Sequence, residues 1–211
     1  MNFLKKFKDL LLESLIDNKK LIIVLAILFL ICFAGAWILS EGSVNKSMSQ
    51  IQNYSASNNP MEQGVSPVDL FINNECGGIV TYIASIFFGI FAIFGLVYNG
   101  VNLGMVGQMF SQAIPNGGLR YLVYIIPHGI FEITATVLQS AAGIMLFLFI
   151  WRFIRVLMSS ETHGASEAFE KTKKILIQSL VIMIFSTILL LIAAPIEAYF
   201  SVPFSEFLVG S

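Results

Sequence analysis

The sequence predicts an all-α fold, a polytopic bundle of transmembrane helices, and three observations predict it. The chain is 56% hydrophobic and only 12% charged, where a soluble domain carries about 25% charged residues. Its mean hydropathy is +0.81. Long uncharged stretches recur along its 211 residues, and most Lys and Arg fall between them. Such a chain forms one bundle in a bilayer rather than one core in water, so the lipid bilayer is its first expected partner. The net charge of −1 gives no basic signature for nucleic acid.

Residues 1–20 place Phe3, Phe7, Leu11 and Leu15 near helical spacing, with Lys5, Lys6 and Lys8 between them. This is the pattern of an amphipathic helix lying in a cytoplasmic interface. Residues 21–40 predict the first transmembrane helix: 21–39 carries no charge and spans about 28 Å at ~1.5 Å per residue, close to a ~30 Å hydrocarbon core. Ala34-Gly35-Ala36 resembles a signal-peptide cleavage site, but the apolar run exceeds the usual ~7–15 residues of a signal h-region. The segment is therefore expected to stay as an anchor. Residues 41–76 are polar and predict an extracytoplasmic loop, in which Asn45-Lys46-Ser47 and Asn53-Tyr54-Ser55 match the glycosylation acceptor pattern.

Residues 77–211 predict the main membrane bundle. Gly77 to Tyr98 is uncharged and reads as the second span. The segment 99–120 reads as broken or re-entrant, since Gly100, Gly104 and Gly107 punctuate it and Pro115-Asn116-Gly117-Gly118 is a turn signal. The apolar stretch 121–151 admits two readings. It turns back as a hairpin near Gln139-Ser140, which Arg120 favours under the positive-inside rule, or it runs as one long helix, which Pro127 favours if it sits in a first turn. The hairpin is preferred. Trp151, Arg152 and Arg155 are interface anchors. Residues 152–174 predict a cytoplasmic loop in which Glu167/Lys171 and Glu170/Lys174 are i,i+4 pairs, and 175–197 predicts the last span.

The basic residues set the orientation. The first 20 residues and the 152–174 loop hold nearly all of them, so both are expected in the cytoplasm, with the 41–76 loop and the C-terminus outside. Parity then requires an odd number of crossings, and five are expected.

Pro127-His128-Gly129-Ile130-Phe131-Glu132 is the most informative segment. An ionisable group at membrane depth costs on the order of 2.5–3.5 kcal/mol when charged, yet His128 and Glu132 lie four residues apart within an apolar stretch, on one helix face. They form a candidate polar site, in which they either pin neighbouring helices together or mark a proton or ion pathway. Gly129 is expected to admit a neighbouring helix. Pro127 and Pro195 each free a backbone carbonyl, and Glu132 and Glu197 are candidates to converge on one cavity. His-x-x-x-Glu supplies only two ligands and differs from the His-Glu-x-x-His zinc motif, so no metal is expected. No nucleophile constellation or phosphate loop is present, and neither catalysis nor a cofactor is expected. Cys32 and Cys76 are expected at different depths, which argues against a disulfide.

These stretches resemble the stage II sporulation protein M family, small polytopic membrane proteins of bacteria and archaea. The resemblance rests on Phe71-Ile72-Asn73-Asn74, on Asn99-Gly100 through Leu103-Gly104, and on Pro127-His128-Gly129-Ile130-Phe131-Glu132. It continues in Ala141-Ala142-Gly143 and in Leu191-Ile192-Ala193-Ala194-Pro195-Ile196-Glu197-Ala198, all in the family's order. Asn73, Asn74, Asn99, Gly100, Gly104, Ala142 and Gly143 are read as packing or backbone-approach positions. The resemblance implies a membrane component working with peptidoglycan-degrading partners. The expected function is a non-enzymatic scaffold or complex subunit in the cell membrane, organising envelope or cell-wall enzymes and assembling as a homo-oligomer, a dimer first. The alternative is a small transporter, flippase or proton/ion pathway using His128 and Glu132.

Overall fold

The computed structural model describes residues 3–40, 66–159 and 164–209, and every regular element among them is helical. Helix α1 spans Phe3–Asp17, α2 Lys19–Leu39, α3 Pro67–Ala84, α4 Ile90–Ala113, α5 Gly117–Leu157 and α6 Ala165–Ile196. A π-helical turn, Glu197–Ser201, continues α6 into the short α7, Val202–Val209. Among the described residues, four helices are long and apolar enough to cross a membrane: Lys19–Leu39, Ile90–Ala113, Gly117–Leu157 and Ala165–Val209. Residues 41–65, with both glycosylation-type sequences, lie outside the described residues.

Several boundaries differ from the sequence reading, each for a local reason. The predicted loop 41–76 gives way to α3 at Pro67. Ser66 Oγ accepts the Val68 amide hydrogen at 3.2 Å and Pro67 takes the first helical position, where its missing N–H costs nothing. The span predicted at Gly77–Tyr98 is not one helix, because α3 stops at Ala84 and α4 starts at Ile90. The segment 99–120 is not broken at its first glycines: Gly100, Gly104 and Gly107 lie inside α4, and the chain turns at Pro115-Asn116, where Asn116 adopts φ 55°, a left-handed conformation Asn tolerates.

The preferred hairpin at Gln139-Ser140 is absent, since α5 runs unbroken from Gly117 to Leu157. Both polar side chains find partners in the helical state instead. Ser140 Oγ donates to the Thr136 carbonyl at 2.9 Å, and Gln139 reaches Glu75. Pro127 sits well inside this helix rather than in its first turn. The 152–174 loop is correspondingly short, because α5 and α6 extend into it from both sides.

The chain divides into two compact units. The first comprises Met1–Ala26, Glu75–Leu96 and Thr134–Leu189. Its centre is the stretch of α5 from Ala135 to Leu146, buried nearly all round. Small residues let helices approach it closely: a Cβ on Gly143 would come 2.9 Å from Ser85 Oγ and 3.1 Å from Ala92 Cβ, and one on Gly89 would come 3.2 Å from Phe147. Within the connection between α3 and α4, Phe87 and Phe88 are 72% and 65% exposed, as suits a contact with lipid. Helix α1 is clasped to α6. Lys174 Nζ bridges Glu13 at 2.8 Å and Asp17 at 2.9 Å, and Gln178 donates to Asp17 at 2.8 Å. Lys174 therefore does not make the predicted pair with Glu170, which Lys173 takes, while Glu167–Lys171 forms at 2.7 Å.

The second unit comprises Ile27–Asn74, Val97–Ile133 and Leu190–Ser211. Here α4 lies against α2. A Cβ on Gly100 would come 3.1 Å from the Phe29 carbonyl oxygen, one on Gly104 would overlap the Phe33 carbonyl, and one on Gly107 would overlap the Trp37 ring. Tyr121 packs on Trp37 and Phe110, with ring centroids 5.6 and 5.3 Å away, and its hydroxyl donates to the Leu103 carbonyl at 2.8 Å. Cys32 and Cys76 are both free.

Candidate functional site

The second unit gathers His128, Glu132 and Glu197. One ligand atom from each lies within 4.8 Å of the other two. Helical spacing puts His128 and Glu132 on one face of α5, with Nε2 3.8 Å from Oε2. Glu197 arrives from the π-helical turn that follows Pro195. A π turn widens the helix, lets a side chain reach a carbonyl five residues back, and is common at functional sites. Here Ser201 Oγ donates to the Ile196 carbonyl at 3.2 Å. The Ser201 hydroxyl has one hydrogen, so its lone pair accepts from His128 Nδ1 at 2.8 Å. His128 is 4% exposed. Its ring also hydrogen-bonds the Tyr124 backbone, one turn back.

The carboxylates are oriented from outside. Tyr124 donates its hydroxyl to Glu197 Oε1 at 3.2 Å, and its ring packs edge-on against His128 with centroids 5.2 Å apart. The Asn74 side chain hydrogen-bonds Glu132. Glu132 and Glu197 thus lie in one cluster with His128. At Gly129 the atoms nearest to an added Cβ belong to Ile125 and Ile133 of its own helix. Of the other singled-out positions, Asn73 and Asn99 are exposed, as are Trp151, Arg152 and Arg155. Ala142 is fully buried, and its carbonyl accepts from Ser179 at 2.8 Å.

The first unit holds a second polar site, which the sequence reading passed over. Glu75 is 8% exposed. One of its oxygens accepts from Thr187 at 2.7 Å and the other from Gln139 Nε2 at 3.2 Å. Gly78 makes room for it, since a Cβ there would overlap the Gln139 carboxamide. A further bond joins Tyr82 and Ser179 hydroxyls at 2.9 Å. Glu75 stands beside Cys76, where a long uncharged run begins, and so looked like the end of a loop. Ser201, which sets the imidazole, stood in a tail with no other sign of function.

Comparison with known proteins places this geometry in a family. An uncharacterised protein of Methanocaldococcus jannaschii, MJ0793, is 29% identical over 184 residues, covering 87% of this chain and 97% of its own length. A second uncharacterised protein of that organism, MJ0706, is 27% identical over 197 residues, covering 87% of this chain and 86% of its own. No solved structure matches. The profile of Stage II sporulation protein M matches residues 23–202, and so spans the first apolar helix, the His128–Glu132–Glu197 cluster and Ser201. An integral membrane protein of helical architecture, this chain belongs to the Stage II sporulation protein M family.

Proposed function

We propose that the chain is a non-enzymatic membrane component that holds envelope-associated enzymes in place. One observation carries this reading. Each ionisable group of the cluster is tied to a side chain from a different segment: His128 to Ser201, Glu197 to Tyr124, and Glu132 to Asn74. Such cross-links fix helices in register, which is what a scaffold needs. The distribution of Lys and Arg supports the cytoplasmic membrane as location, with the N-terminus inside and the C-terminus outside. A homodimer is the assembly we assign first.

A second reading, a small transporter or ion pathway, is favoured by one specific fact: two carboxylates and an imidazole within 4.8 Å are more ionisable groups than a joint requires. Two measurements separate the readings. Affinity capture with crosslinking in native membranes is expected to recover an envelope enzyme, and to lose it in Glu132→Gln while the variant still inserts and folds. Proteoliposomes are expected to show no proton, ion or lipid flux above empty vesicles. Flux that Glu132→Gln abolishes would overturn the scaffold reading in favour of the pathway.

A further inference from the structure

We propose that His128, Glu132 and Glu197 form a binding site for a divalent transition-metal ion, with Ser201 as the residue that positions the imidazole. The proposal rests on the cluster's geometry and not on the scaffold role.

The donor set comes first. An imidazole nitrogen and two carboxylate oxygens lie within 4.8 Å of one another. Ligand atoms held at about 2.0–2.2 Å from one ion in a tetrahedral arrangement lie about 3.3–3.6 Å apart. Closure onto an ion therefore asks for side-chain movements of up to about an ångström, within reach of side-chain rotation.

The second observation is independent of the first and concerns the direction of a lone pair. Ser201 commits its only hydrogen to Ile196, so Nδ1 of His128 donates to Ser201 and carries the ring proton. The lone pair then sits on Nε2. This nitrogen faces Glu132 Oε2 at 3.8 Å, too far for a hydrogen bond and between two acceptors. The imidazole is 4% exposed, and an electron-pair acceptor between the two atoms would satisfy both. A partner on the far ring nitrogen that fixes tautomer and orientation is also the usual setting of a metal-binding histidine.

Charge and chemistry select the ion. Two carboxylates with a neutral imidazole sum to −2, which a divalent cation cancels in a low-dielectric setting. A nitrogen ligand favours Zn²⁺, Co²⁺ or Mn²⁺ over Mg²⁺ and Ca²⁺, which prefer all-oxygen shells. Three protein ligands leave a position open for water or for a partner's side chain. The Tyr124 and Asn74 contacts hold the carboxylates facing inward before any ion arrives.

The test uses full-length protein in detergent micelles, tag removed and stripped with a chelator. Zn²⁺ or Co²⁺ is added, excess is removed by gel filtration, and bound metal is measured. About one ion per chain is expected, with Mg²⁺ and Ca²⁺ failing to displace it at equal concentration. Ser201→Ala, which leaves all three ligands in place, is expected to weaken binding by about 10–100-fold. Glu197→Gln should weaken it further, and Glu75→Gln should leave it unchanged. Wild-type protein that elutes as a folded peak without metal would overturn the proposal. So would binding that survives Glu132→Gln with Glu197→Gln. Loss of metal in these variants with partner capture intact would support the metal site and overturn only the cluster's part in holding partners; a failure to capture any partner with wild-type protein that binds metal would overturn the scaffold reading alone.

Discussion

Glu75 and Glu132 are both glutamates set among apolar helices, yet they are accommodated in opposite ways. Glu75 is closed: each oxygen has its own neutral donor, Thr187 at 2.7 Å and Gln139 at 3.2 Å. The group asks for nothing further, and its role ends with holding three helices together. Glu132 is open. Asn74 orients it from one side, but on the other it faces a second carboxylate and an imidazole lone pair. A site that satisfies itself is built for stability. A site that aims acceptors at one another is built for something that arrives.

The sharpest way to break this contrast is Glu75→Ala. It leaves the Gln139 amide buried without its acceptor, while Thr187 keeps its bond to the Met183 carbonyl at 3.2 Å. A loss of about 2–3 kcal/mol is expected, read as a lower midpoint in thermal unfolding of the detergent-solubilised protein, with or without metal. Glu197→Gln should act with the opposite sign in chelator-stripped protein. It keeps an oxygen for Tyr124 and removes one of two facing carboxylates, so a gain of about 1 kcal/mol is expected. A loss of stability in the stripped protein would mean that the two carboxylates do not oppose each other. The smallest effect belongs to neither site and serves as a control. Lys174, and then Gln178, hold the Asp17 carboxyl below its ordinary value of 3.8 through hydrogen bonds. A carboxyl whose value is lowered by folding contributes stability above its unfolded value, and that contribution fades as the pH falls through the folded one. The α1 clasp should therefore be unchanged from pH 8 to 5 and loosen only below about pH 4. Amide exchange in α1 measures this, and salt should weaken the clasp at every pH because the pair is exposed.

The contrast also explains what the sequence made legible. Helical class, membrane character and the His128–Glu132 face follow from local patterns, namely apolar runs and a spacing of four. Glu197 was legible as a partner because it follows a Pro in an apolar run, as Glu132 does. Gln139 and Ser140 were misread as a turn because a polar pair inside an apolar stretch usually has nothing to bond. Their true partners are a carbonyl one turn back and a carboxylate 64 residues away, and no window of sequence contains the second. Glu75 and Ser201 were missed for the same reason. Each acts through a residue remote in the chain, and neither sits in a pattern of its own.

The interruption between α3 and α4 bears on how the protein is made. Helix α3 carries Asp69 and Glu75, and it is not among the helices apolar enough to cross unaided. Emerging from a ribosome, it meets an inserting channel before the donors for Glu75 exist, since Gln139 and Thr187 follow it by 64 and 112 residues. Until both arrive, a charged Glu75 released to lipid would lack its partners. The acceptor is made before either donor, so the order of synthesis and the order of satisfaction run apart.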